Sequence, residues 1–125
     1  GRITAYDMNK GEIAWQVPNG ETPQSIKEHP LLEGLDLPKT GSRSRAGILV
    51  TKTLMFAGEG WGGLPIFRAY DKATGEIIWE TEIPAGAQTG GPMTYMHEGQ
   101  QYIVFTAGNA RTRTPGQIIA YRLPE

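Results

Sequence analysis

The sequence predicts an all-β fold, built as an array of similar sheet units rather than around one central core. The first observation is an internal repeat: Ala-Tyr-Asp-x-x-x-Gly-Glu-Ile-x-Trp occurs at 5–15 and again at 69–79, an offset of 64. The second is composition, since 17 Gly and 9 Pro among 125 residues are typical of many turns between short strands. The third is that no segment sustains the apolar period of about 3.6 residues that marks an amphipathic helix.

The repeated segment predicts a strand, a tight turn and a second strand. Residues 2–6 and 66–70 are rich in β-branched and aromatic side chains, which favour strands. Asp7 and Asp71 then open a turn that ends in glycine, where positive φ costs little. An aspartate at the start of such a turn is suited to accept hydrogen bonds from turn amides, so we expect a structural role for both.

The second strand of each copy carries the motif's tryptophan. At the two-residue period of a strand, Ile13 and Trp15 are expected on one face, as are Ile77 and Trp79. A tryptophan on the inward face of a repeated strand is typical of packing between sheets rather than of cofactor stacking.

Five further segments predict strands, at 47–51, 53–57, 92–96, 102–106 and 118–122. Counted along the chain, the strands then fall into groups of two, four and three. With four strands to a unit, this is an arc of a β-propeller. Residues 1–19 end one blade, 20–45 form an inter-blade loop, 46–84 form a full blade, and 85–125 form a last blade without its fourth strand. Residues 27–37 favour a loop with at most a short helical turn, because of Pro30 and Gly34.

Bulk properties exclude several classes of function. The net charge of −1 gives no reason to expect nucleic acid or an anionic membrane as a partner. With no cysteine, disulfides and thiolate metal sites are excluded. Since the chain starts at Gly1 without a methionine and in mid-strand, we expect it to be a piece of a longer protein.

At the repeated motif the sequence resembles the tryptophan-docking repeat of the pyrroloquinoline quinone (PQQ) dehydrogenases, which are eight-bladed β-propellers. The resemblance continues through the segments 84–88, 92–95, 99–104 and 107–108, which are similar in order to the last two blades of that family. The closing residues 119–124 resemble the C-terminus of the membrane-type glucose dehydrogenase branch. Only 20–45 departs from the pattern, being longer and more charged. The resemblance implies a C-terminal fragment of such an enzyme.

The resemblance also implies a function for the parent protein. It would oxidise a sugar or alcohol by hydride transfer to PQQ, with calcium polarising the quinone, and pass electrons to ubiquinone or a cytochrome. It would be periplasmic, with membrane association through an N-terminal segment outside this chain. The family's catalytic base and calcium ligands lie in earlier blades, so no catalytic or metal-binding residue is expected here and the fragment alone would be inactive. The alternative is a non-catalytic PQQ-like propeller that scaffolds protein assembly, since such propellers use a similar repeat.

Two loops are candidates for contact with the cofactor. PQQ carries three carboxylates and an ortho-quinone, which suit guanidinium and amide donors. In the family, the loop after the last blade's second strand touches the cofactor, and a loop before an inner strand lies near it. On this resemblance the candidate cofactor-binding residues are Asn109, Arg111, Thr112, Arg43 and Arg45. The alternative is that these are solvated loop charges.

Trp61 lies outside the repeat, in a Gly-x-Gly-x-x-Gly string at 58–63. A dinucleotide site would need a helix next, but residues 64–67 predict the start of a strand. Trp61 is therefore either an exposed aromatic near the propeller mouth or simple loop packing. His29 and His97 are isolated and support no metal site.

Overall fold

A computed structural model describes residues 1–124. They form three antiparallel sheets of two, four and three strands, which confirms the predicted all-β class and strand count. The strands are β1 (Arg2–Asp7), β2 (Glu12–Pro18), β3 (Ile48–Val50), β4 (Leu54–Gly58), β5 (Ile66–Asp71), β6 (Ile77–Glu82), β7 (Met93–His97), β8 (Gln100–Asn109) and β9 (Thr114–Arg122). Within the described residues no helix has the length and apolarity needed to cross a bilayer.

Both copies of the repeat fold alike, down to an irregularity in the sheet. The β1–β2 register shifts between Ala5 and Tyr6, so that Trp15 lies opposite Ala5 and Ile13 lies opposite Tyr6. The β5–β6 register shifts at the same place in the second copy. Because consecutive strand residues face opposite sides, the bulge separates Ile13 from Trp15. The expectation that they share a face was wrong, since a strict two-residue period takes no account of a bulge.

The two turn aspartates take the expected structural role. The Asp7 Oδ1 accepts hydrogen bonds from the amides of Asn9 (3.0 Å) and Lys10 (3.2 Å). The Asp71 Oδ1 does the same for Ala73 (2.8 Å) and Thr74 (2.9 Å). Each carboxylate therefore satisfies turn amides that have no strand partner.

The core lies between the sheets, with β4 and β5 in the middle. One face of β5 turns Phe67 toward the last sheet, where its ring stacks on Phe105 at a centroid distance of 4.1 Å. The other face turns the buried Tyr70 toward the first sheet, against Ile3. Because both faces of this strand are covered, it reads as an almost unbroken buried run.

The long connection between β2 and β3 is compact. It contains a one-turn helix, α1 (Gln24–Lys27), and a 3-10 turn at Pro30–Leu32. The 3-10 turn lies within 27–37, where the sequence predicted at most a short helical turn, whereas α1 was not predicted. Pro30 begins the 3-10 turn because its fixed φ suits the first helical position. The two ends of the connection are tied together where the Ser42 amide donates to the Asn19 carbonyl (2.9 Å).

Candidate functional site

A cavity of about 670 Å³ opens where three parts of the chain meet: the 20–45 connection, the loop between β4 and β5, and the loop between β8 and β9. Its wall includes Arg43, Arg45 and Arg111 together with Trp61. Three of the five candidate cofactor-binding residues are thus brought together, although more than sixty residues separate Arg45 from Arg111 in the sequence.

Trp61 is the centre of this group. The guanidinium carbon of Arg111 lies 4.9 Å from the centroid of the indole, and that of Arg45 lies 5.6 Å from it. Both distances are within the range of cation–π attraction. Trp61 remains 45 % exposed, so the ring and its arginines face the cavity rather than the core.

The arginines of the cavity carry uncompensated charge. Among the ion pairs of residues 1–124, none includes Arg43, Arg45 or Arg111. The nearby acid Glu21 is already engaged, since it pairs with Lys39 (2.5 Å) and Lys27 (3.6 Å). The hydrogen bond from Lys39 lowers the pKa of the Glu21 carboxyl, so it stays ionised and bound to lysine. The free guanidinium groups suit an anionic ligand.

Asn109 and Thr112 serve the loop instead of the cavity wall. The Asn109 Oδ1 accepts hydrogen bonds from the amides of Arg111 (3.0 Å) and Thr112 (3.4 Å). The Thr112 hydroxyl lies 2.8 Å from that of Thr114. These contacts fix the turn that carries Arg111. Asn109 and Thr112 therefore affect the cavity indirectly, by holding the backbone at that arginine.

The sequence analysis missed Glu59, a buried residue of the cavity wall, and Arg68, which pairs with it. The Glu59 Oε1 accepts a hydrogen bond from Arg68 Nη2 (2.7 Å), while Arg68 Nε donates to Glu80 (3.0 Å). Burial disfavours the charge on Arg68, but the two carboxylates outweigh burial and raise its pKa. A signal was present: Arg68 is a charge within the apolar strand Ile-Phe-Arg-Ala-Tyr, which requires a buried acid as partner.

Gln88 is a second residue that the sequence analysis missed. Its buried side chain accepts from the Gly58 amide (2.7 Å) and donates to the Gly47 carbonyl (2.9 Å). It therefore joins the end of β4 to the segment that enters β3, the two backbone stretches that carry Trp61 and Arg45.

Histidines and acids do not gather into a metal centre in the part of the chain that the structure describes. The His29 Nδ1 caps the 3-10 turn by accepting a hydrogen bond from the Leu31 amide (3.3 Å). His97 is exposed at the end of β7.

Comparison with known proteins assigns the family. Residues 1–103 match the model of the PQQ family described as glucose/ethanol/alcohol dehydrogenase, β-propeller domain. The chain belongs to this family. The resemblance inferred from the repeated motif is thereby confirmed. The three antiparallel sheets of this PQQ-family chain are consistent with a partial propeller.

The relatives of this PQQ-family chain are dehydrogenases. A probable quinate dehydrogenase (quinone) of Xanthomonas campestris pv. juglandis is 37 % identical and is covered over 16 % of its length by the whole chain. A quinoprotein glucose dehydrogenase of Gluconobacter oxydans is 35 % identical with the same coverage. Methanol dehydrogenase subunit 1 of Paracoccus denitrificans is 31 % identical over 86 % of the chain and 13 % of its own length. The chain thus spans about one sixth of the length of the curated relatives it matches first.

Proposed function

We propose that the protein containing this chain oxidises a sugar or other alcohol with PQQ, and that the arginine–tryptophan cluster (Arg43, Arg45, Trp61 and Arg111) forms part of its cofactor site. The observation that carries the proposal is the convergence of three unpaired guanidinium groups on one cavity. Family membership supports the chemistry, and the names of the relatives give quinate, glucose and glycerol as their substrates.

The residues present fit PQQ. Its carboxylates are planar acceptors, which guanidinium groups bind in pairs of parallel hydrogen bonds. When bound, PQQ accepts the hydride of the substrate alcohol. The chain's own contribution is to hold and orient the anionic cofactor, with Trp61 keeping Arg45 and Arg111 side by side. Calcium ligands and the base would come from other blades of the same protein.

The wider arrangement follows from the same proposal. Residues 1–19 end one blade, 46–84 form the next, and 85–125 form a blade completed by a strand from elsewhere in the protein, with 20–45 as the inter-blade loop. The partners are then the remaining blades, a sugar or alcohol, and ubiquinone or a cytochrome as electron acceptor. The protein would work in the periplasm. An arc of this size does not surround a cofactor, so the chain alone would be inactive.

The test is PQQ binding by the full-length protein carrying Arg111→Ala, measured by equilibrium titration. Loss of one charge-assisted contact is worth about 1.5–3 kcal/mol, so the Kd for PQQ should rise by roughly 10- to 100-fold. The matched control is Arg113→Ala, which removes the same charge from the same loop but from outside the cavity wall. Equal Kd values for both variants and the wild type would remove the cluster from the cofactor site.

A further inference from the structure

The loop that carries Trp61 depends on few backbone contacts of its own. Gly60 and Gly62 have φ of 67° and 97°. Residues other than glycine rarely adopt this left-handed region. Within the loop, the Gly63 amide donates to the Gly60 carbonyl (3.1 Å), and the Glu59 amide donates to Ile66 at its base (3.2 Å). A glycine-rich loop with so few bonds needs an outside anchor to hold an aromatic ring in one place.

Glu59 supplies that anchor. Its Oε2 accepts a hydrogen bond from the Leu64 amide (2.8 Å), on the far side of the loop from its own backbone. Its Oε1 accepts from Arg68 Nη2 (2.7 Å), a side chain rooted in the middle of β5. One carboxylate therefore closes the loop and ties it to the sheet.

The side chain of Glu59 is tightly enclosed by its neighbours. The side chain is 1 % exposed. A Cβ added to Gly20 would come within 2.7 Å of the carboxylate, and one added to Gly63 would come within 2.4 Å of the Glu59 Cβ. Glu59 belongs to the cavity wall, but the start of the 20–45 connection covers its carboxylate, and both oxygens already accept hydrogen bonds from Leu64 and Arg68. A carboxylate engaged in this way offers no donor to an anionic ligand.

We propose that Glu59 is a positioning residue for the cofactor site, which acts by holding the Trp61 loop so that the indole meets Arg45 and Arg111. The inference rests on the proposed function for the cluster itself. It adds that the affinity for PQQ is set in part by a buried carboxylate whose ion-pair partner is Arg68 and not an arginine of the cluster.

The experiment compares Glu59→Gln with Glu80→Gln in the full-length protein, with PQQ as the titrated ligand. Both changes remove a carboxylate that binds Arg68, but Glu80 is half-exposed, and among the described residues its carboxylate accepts a hydrogen bond from Arg68 alone. Glutamine at 59 keeps the shape and brings an NH₂ donor toward either Leu64 or Arg68, both of which are donors already. We expect the Kd for PQQ to rise about tenfold for Glu59→Gln and to change less than about twofold for Glu80→Gln.

A double-mutant cycle tests whether the effect passes through Trp61. In a Trp61→Ala background, Glu59→Gln should leave the Kd within about twofold of the single Trp61→Ala variant, because the loop no longer carries a ring to position. A tenfold loss that persists in that background would overturn the proposal. A lowered melting temperature with unchanged PQQ affinity would also overturn it, since Glu59 would then be merely structural.

Two further variants keep the outcomes distinct. If Glu59→Gln does not fold, Glu59→Asp replaces it, because a carboxylate shorter by one methylene does not span Leu64 and Arg68 together; the same criteria then apply. If Arg111→Ala weakens PQQ binding and the Glu59 variant does not, the inference on Glu59 fails while the proposed function stands. If neither variant changes the affinity, the proposed function itself fails.

Discussion

The two copies of the repeated segment share most of their residues, yet their neighbours bury them very differently. Tyr6 is 62 % exposed in the first copy, whereas its counterpart Tyr70 is 0 % exposed in the second. The reverse holds for the tryptophans. Trp15 donates from its indole nitrogen to the Lys72 carbonyl (3.0 Å), while Trp79 meets Tyr121 edge-on and is 42 % exposed.

The difference comes from what each copy packs against. The β5–β6 pair has a sheet on both sides, so Tyr70 is covered by the first sheet. The β1–β2 pair packs on the second sheet through Trp15, which reaches the turn of the following copy. Trp79 would need a similar turn beside β9, and within residues 1–124 no strand lies on that side of β9. The sequence motif thus determines the local hairpin. Which side chains of that hairpin are buried, and so contribute to stability, depends on the adjacent sheet.

The glycines of the two turns test this most strongly. Gly75→Ala should lower the free energy of unfolding by about 3 kcal/mol, because positive φ disfavours a side chain and the new methyl would overlap Trp15. The φ is 77°, and the nearest ring atom of Trp15 would lie 2.6 Å from the added Cβ. Urea unfolding, with the midpoint compared at constant slope, measures the change.

Gly11→Ala is the matched control, at the same place in the other copy. Its φ of 70° is nearly the same, but no atom of residues 1–124 lies within 4 Å of the added Cβ. It should cost only about 1 kcal/mol, the backbone part alone. Equal losses for the two variants would mean that Trp15 does not dock on the turn.

The tyrosines sharpen the comparison through pH. Burial raises the pKa of the Tyr70 hydroxyl, and the charge of Arg68 opposes that shift without outweighing it. A folded-state pKa above the unfolded value means that the neutral hydroxyl's contribution is complete below about pH 10. It is then lost as the pH rises toward the folded pKa, by up to about 1.4 kcal/mol per pH unit. Tyr70→Phe should remove this loss.

Urea midpoints near pH 8 and pH 11 are the measurement. Tyr6→Phe is the control, since that ring is exposed in the first copy and should leave the alkaline loss as large as in the wild type. If Tyr70→Phe loses stability at high pH as steeply as the wild type does, the hydroxyl of Tyr70 is not shielded by the first sheet.

Sequence reasoning predicted what depends on neighbours along the chain. The strands and the Asp7 and Asp71 turns follow from β-branched runs, a turn-forming acid and a glycine, all within eleven residues. The bulge did not follow, because the shift after Ala69 leaves no residue type that marks it. Even so, the three-way strand grouping survived, since an irregularity inside a hairpin does not change the number of strands.

The candidate site could be predicted only in part, for a spatial reason. The resemblance pointed to Arg43, Arg45 and Arg111, but only the packing of the second sheet against the third brings Arg45 and Arg111 to one ring. The sequence analysis assigned no role to Glu59, which lies in the Gly-x-Gly-x-x-Gly string beside Trp61. Its burial depends on an ion pair with Arg68, a charged residue of β5 that the sequence analysis did not consider. Neither residue could be assigned a role without knowing that the other is its partner.

The tryptophans give the smallest effect. Trp15→Phe keeps an aromatic ring but removes the indole N–H that binds Lys72, which should lower the free energy of unfolding by about 1 kcal/mol. Trp79→Phe should cost less, because the Trp79 indole N–H has no hydrogen bond to the described residues and the ring is half-exposed. Urea unfolding of the two variants of the 125-residue chain measures this difference. The same two variants in the full-length protein test the proposed completion of the last blade. Equal losses of stability there would mean that a further part of the protein packs on Trp79, as Lys72 and Gly75 pack on Trp15.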